Sequence, residues 1–249
     1  MIKEIFKFKN HALRISKNSQ RSQTAILMLH GFPAEKHNGT PFEKNSDIAD
    51  FLANHFEIDV ILPHYNGLDH NLHNEFNFVH SIEDTLNLLE ELKGSYKSIS
   101  IIGHSWGGLV AWNCFKSVPE FISKAVLLSP FLSIPNQEEL RIFVQELILE
   151  TPAKSRANLL DLYLDEFEIV KTKFSPLVCF QPTGISQNQV HILQALQDTV
   201  VPPSVADHFM ATQVISIGRI DIDTDHGFLE NRGVVMGHLV RILEQSDTN

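Results

Sequence analysis

Five short apolar runs punctuate the chain: Ala25–Leu29, Ile58–Leu62, Ser98–Ile102, Ala125–Leu128 and Val190–Ala195. Each has the length and β-branched content of a buried strand. Between them the apolar residues recur every three or four positions. Ile48, Ala49, Leu52, Ala53 and Phe56 predict a helix over Ser46–Phe56. Leu86, Leu89 and Leu92 predict a second, which Gly94 ends. Ser81, followed by Glu83 and Asp84, has the form of its N-cap and acidic first turn. The alternation of strand and helix predicts a parallel sheet with right-handed crossovers. Ile2–Phe8 and Ala12–Ile15 read as an opening hairpin around an Asn10-His11 turn. Val214–Ile222 reads as the last strand, after a short helix begun by Val205–Met210 and before a closing helix from about Asn231 to Leu243.

The rhythm breaks between Ser129 and about Gln189, a span longer than one crossover helix requires. Leu140, Phe143, Val144, Leu147 and Ile148 form one amphipathic face. Leu159, Leu160, Tyr163, Leu164 and Phe167 form another. Residues 130–188 are therefore read as a helical lid inserted within a single 1–249 domain. The bland alternative is that these helices pack on the sheet as core.

The chemistry gathers at one stretch. The strand 98–102 runs into Gly103-His104-Ser105-Trp106-Gly107-Gly108, and helical sequence follows from Leu109 to about Lys116. A strand, a Gly-x-Ser-x-Gly turn and a helix make a nucleophile elbow, in which glycines admit a turn too tight for side chains. Upstream, Ala25–Leu29 ends in His30-Gly31-Phe32-Pro33. Downstream, Asp198 follows the strand 190–195, and His226 follows the last strand.

These motifs, in this order, resemble the α/β-hydrolase family. The resemblance implies a mostly parallel central sheet flanked by helices, with the lid before the last strands. It implies Ser105 as nucleophile, His226 as base and Asp198 as the acid that orients it, in the chain order of this fold. It also implies an oxyanion hole formed by the backbone N–H groups of Phe32 and Trp106. His30, His104 and Tyr65 are candidate substrate contacts, as is His64. An Asx turn is the other use of an aspartate at 198. Asp221, Asp223 and Asp225 are rival acids on the histidine's own strand or loop. Haloalkane dehalogenases and epoxide hydrolases of this family place an aspartate where this chain has Ser105, so the resemblance points away from them.

The expected activity is hydrolysis of a carboxylic ester or thioester of a small, partly apolar substrate through an acyl-enzyme. Acyl transfer, peptidase or carbon–carbon bond hydrolysis would use the same residues. A non-catalytic, ligand-binding protein on this fold is the alternative of another class. Composition narrows the partners further. The formal charge of −10 argues against general nucleic-acid binding. No apolar run approaches membrane-spanning length, and the start lacks the apolar core of a signal peptide. Cys114 and Cys179 are too few for a disulfide framework, so a cytoplasmic protein is expected, as monomer or homodimer. His64, His70 and His73 lie in a loop, with His80 just beyond it, and show no recognised metal-ligand spacing. No metal and no cofactor are expected.

Overall fold

The computed structural model describes residues 1–7, 11–16, 22–32, 45–63, 76–150, 158–180 and 189–245. Tyr65, His64, His70 and His73 lie outside the described residues. Eight strands form one sheet in the order β1-β2-β4-β3-β5-β6-β7-β8. Their ranges are β1 Ile2–Lys7, β2 His11–Ser16, β3 Thr24–Leu29, β4 Asp59–Pro63, β5 Ser98–His104, β6 Ile122–Leu128, β7 Val190–Ala195 and β8 Ile217–Ile222. The β1–β2 and β2–β4 pairs are antiparallel, and every other pair is parallel. The expected turn at His11 is instead strand, since His11 pairs with Lys7.

Among the described residues, seven helices accompany the strands: α1 Ser46–Phe56, α2 Phe78–Lys93, α3 Trp106–Ser117, α4 Gln137–Glu150, α5 Leu159–Lys173, α6 Pro203–Thr212 and α7 Arg232–Glu244. The period of two in β3 sorts its side chains between two cores. Ala25, Leu27 and Leu29 face the core of α2, α3 and α5. Ile26 and Met28 face the core of α1 and α7. Burial on both sides explains why β3 reads as an unbroken apolar run.

The chain leaves β3 for β4 on one side, then returns past β3 to β5 on the other. The sheet's direction of growth reverses between β3 and β5, and a crevice opens beyond the carboxyl ends of strands at such a point. Both candidate motifs follow these two strands.

Two charged features hold the sheet's flanks. On the β2–β4 side, Arg14 reaches Asp59 at 3.4 Å, and the Tyr96 hydroxyl donates to the same carboxylate oxygen at 2.8 Å. All three residues are buried. At the opposite edge, Arg219 of β8 pairs with Asp221 and with Asp207 of α6. The second is an exposed feature of little energetic weight, whereas the first cannot lose a partner cheaply. Asp59→Ala, which removes the buried carboxylate that Arg14 and Tyr96 share, is expected to cost about 3–5 kcal/mol. Tyr96→Phe is expected to cost about 1 kcal/mol. Urea unfolding of the two variants beside wild type checks the ranking.

Candidate active site

Ser105 follows the last residue of β5 and precedes the first of α3, with φ 54° and ψ −118°. Positive φ is unfavourable for a residue with a Cβ, and the surroundings hold it there. The Ser105 N–H donates to the Leu128 carbonyl at 2.9 Å. Its own carbonyl accepts from Gly108 and Phe131, each at 2.9 Å. A Cβ on Gly103 would lie 2.2 Å from the Gly107 carbonyl oxygen. One on Gly107 would lie 2.5 Å from the Leu29 oxygen. Those contacts are impossible, so the two glycines are required by the approach of α3 to β3 and β5.

The turn after β3 lies against this elbow. A Cβ on Gly31 would sit 2.9 Å from the Ser105 Cβ. Phe32 follows directly, half-buried, with its ring stacked on Phe78 at 5.6 Å. Trp106 is buried, and its indole N–H donates to the Ser81 hydroxyl at 2.8 Å. Ser81 is therefore not the N-cap of α2. The helix starts a turn earlier, where the Asn77 side chain accepts from the His80 N–H at 2.7 Å.

Asp198 and His226 come from separate strand ends and meet. His226 Nδ1 lies 2.7 Å from Asp198 Oδ2. Asp198 Oδ1 accepts from the N–H groups of Val200 at 2.9 Å and Val201 at 2.7 Å. The aspartate thus forms the Asx-type turn and holds the histidine at once, one oxygen for each. Two rival acids are engaged elsewhere: Asp221 takes Arg219, and Asp223 accepts from the Gln197 side chain.

His104 joins this pair to the elbow. Its Nε2–H donates to the His226 carbonyl at 2.8 Å, and the two rings lie 4.8 Å apart. His30 is buried, with its Nδ1 against the Gly31 carbonyl at 2.6 Å. Both histidines thus engage the backbone of the loops that carry the other groups.

Ser129 was not singled out by sequence. It follows β6 at φ 38°, fully buried, and its hydroxyl accepts from the Ala195 N–H at 3.1 Å. The same hydroxyl hydrogen-bonds the Asp198 side chain. A Ser-Pro pair after a strand signals only a loop, so no local pattern marks it. Burial raises the Asp198 carboxyl pKa. The His226 hydrogen bond and charge, with the Val201 N–H and the Ser129 hydroxyl, outweigh that and hold it below the usual aspartate value. Burial pushes the Cys114 thiol well up, which leaves it inert as a nucleophile.

Residues 24–168 match the family model of the alpha/beta hydrolase fold. The mouse protein "Epoxide hydrolase 4" is 27% identical over 111 residues, which are 44% of this chain and 29% of that protein. The chain thus spans less than a third of that curated relative. Among solved structures, 2-hydroxy-6-oxo-6-phenylhexa-2,4-dienoate hydrolase from a Rhodococcus species superposes with a TM-score of 0.66 at 17% identity. The alignment covers 98% of this chain and 99% of that one. Mouse alpha/beta hydrolase domain-containing protein 10 gives 0.66 at 14% identity, over 98% and 99% of the two chains. At these identities the superpositions establish the fold.

A depressed native pKa means that the folded state binds the Asp198 proton less readily than the unfolded chain. The associated stability is present above the unfolded aspartate pKa of about 4 and is lost as pH falls through the native one. Wild type is therefore expected to exceed Asp198→Asn in stability most at neutral pH, with the gap narrowing below about pH 4. Urea midpoints of both proteins across that range check this.

Proposed function

We propose that this chain, which belongs to the alpha/beta hydrolase fold family, is a hydrolase that cleaves a carboxylic ester or thioester through an acyl-enzyme on Ser105. The observation that carries this reading is the 2.7 Å contact between His226 and Asp198. It leaves the Nε2 of His226 as the ring nitrogen available to a substrate-side proton, next to the elbow that bears Ser105.

In this mechanism the Ser105 oxygen attacks the carbonyl carbon while its proton passes to His226 Nε2. Asp198 stabilises the imidazolium that forms. The carbonyl oxygen, now negative, is held by the N–H groups of Phe32 and Trp106, donors that need no reorganisation as the charge develops. Collapse expels the alcohol or thiol, which takes the proton from His226. Water then attacks the acyl group and yields its proton to the same nitrogen. That proton returns to Ser105 as the acid leaves. Helices α4 and α5, within 130–188, serve as the lid in this reading, and their apolar residues favour an apolar acyl portion.

The likeness to a protein named epoxide hydrolase does not redirect the chemistry. A carboxylate nucleophile that opens an epoxide forms an ester, which water can cleave. Ser105 would form an ether, which this site has no means to hydrolyse. Acyl chemistry suits a serine.

A fluorophosphonate probe is expected to add once to wild type, at Ser105, and not measurably to Ser105→Ala. His226→Ala is expected to label at least about 10³-fold more slowly. Intact mass and peptide mapping check this, followed by an ester and thioester chain-length panel. Folded wild type that neither labels nor turns over any member of the panel would leave a ligand-binding role in place of the enzyme.

A further inference from the structure

Glu166 is a buried carboxylate in the inserted helix α5, far in sequence from the candidate site, and it takes no part in the proton transfers above. It accepts the Phe78 N–H at 2.7 Å and a hydrogen bond from the Asn77 side chain. Phe78 opens α2, so Glu166 places its carboxyl oxygens at that helix's N-terminus. A buried carboxylate needs such donors, and α2 needs an acceptor for its first N–H groups. The interaction therefore ties the insertion to the start of α2.

The first turn of α2 is in turn what both oxyanion residues lean on. The Phe78 carbonyl accepts from the Ser81 hydroxyl at 2.7 Å, and that hydroxyl accepts the Trp106 indole N–H at 2.8 Å. The Phe78 ring lies 4.7 Å from Trp106 and 5.6 Å from Phe32. On its other flank it meets Phe167 of α5 at 4.6 Å. Phe78 is thus wedged between Trp106, Phe32 and the helix that carries Glu166.

We infer that Glu166 is a positioning residue: by holding the first turn of α2, it sets Trp106 through Ser81, and Phe32 through Phe78, at the geometry the oxyanion requires. This rests on the serine-hydrolase reading above. Oxyanion donors act on a charge that exists only in the transition state, so a displaced donor lowers kcat more than it alters KM.

The test uses the full chain with p-nitrophenyl ester substrates and the variants Glu166→Gln, Glu166→Ala, Ser81→Ala and Lys173→Ala. Glu166→Gln keeps one acceptor oxygen and presents an N–H₂ to the other donor. Lys173 pairs with Glu83 at 2.8 Å, an exposed contact that also joins α5 to α2, and so controls for docking alone. Trp106 and Trp112 are the only tryptophans, so two indole N–H resonances report directly on the Ser81 bond, with Trp106→Phe for assignment.

Glu166→Gln and Ser81→Ala are expected to lower kcat about 10- to 100-fold with KM within about threefold. Glu166→Ala is expected to lose at least as much, and Lys173→Ala to match wild type. Both Glu166 variants and Ser81→Ala are expected to shift the Trp106 indole resonance, while circular dichroism at the assay temperature shows the folded protein. A Trp106 resonance unmoved in Glu166→Gln overturns the inference even if activity falls. So does a kcat equal to wild type in Glu166→Gln and Ser81→Ala. A proportional loss in Lys173→Ala would reduce Glu166 to one docking contact among others. Wild type with neither turnover nor probe labelling removes the hydrolase reading, and the inference with it.

Discussion

Backbone crowding at one crossing governs this molecule. The N-terminal turn of α3 is pressed against the carbonyl oxygens at the end of β3 and against Gly103 of β5, closer than any Cβ permits. Gly103 and Gly107 make that approach possible, and Ser105 absorbs the turn at positive φ. The strain is held by ordinary hydrogen bonds to Leu128, Gly108 and Phe131. What looks like a flexible glycine motif in sequence is therefore the least adjustable part of the fold. The loop after β3 fits over it because Gly31 also lacks a side chain.

Around that rigid centre the polar groups are arranged in shared pairs. Asp198 divides its oxygens between the turn at Val200 and Val201 and the ring of His226. Ser129 joins β6, β7 and Asp198 through one hydroxyl. His104 spans from the elbow to the backbone of the His226 loop. Each group satisfies a buried partner in its own right, so for the reaction proposed above the arrangement is pre-set before a substrate arrives. Pre-setting of this kind is what a transition-state charge requires, because donors that must first move contribute less.

The sequence made the frame and the chain order legible for a physical reason. Buried parallel strands announce themselves as apolar runs, and site residues at strand ends inherit that signal. The strand-end placement of Ser105, Asp198 and His226 was readable on those grounds, while their roles came from the motif and the family resemblance; α1 and β7 were readable at their bounds. The start of α2 was not. Ser81 has the chemistry of an N-cap, but Phe76 and Phe78 pack into the core and begin the helix earlier, under Asn77. Glu166 and Ser129 were illegible because their partners lie 88 and 66 residues away. Nothing within a helical or strand period could flag them. Tyr65 lies outside the described residues.

The charged edge of β8 carries its own consequence. An outermost strand offers a row of unpaired amides and carbonyls to any strand that drifts alongside. Arg219, clasped by Asp221 and Asp207, stands on that border. A second copy adding its β8 would have to strip water from three charges and set like beside like. Ribbon growth across this margin is thereby discouraged, and the sheet ends where its eighth strand does.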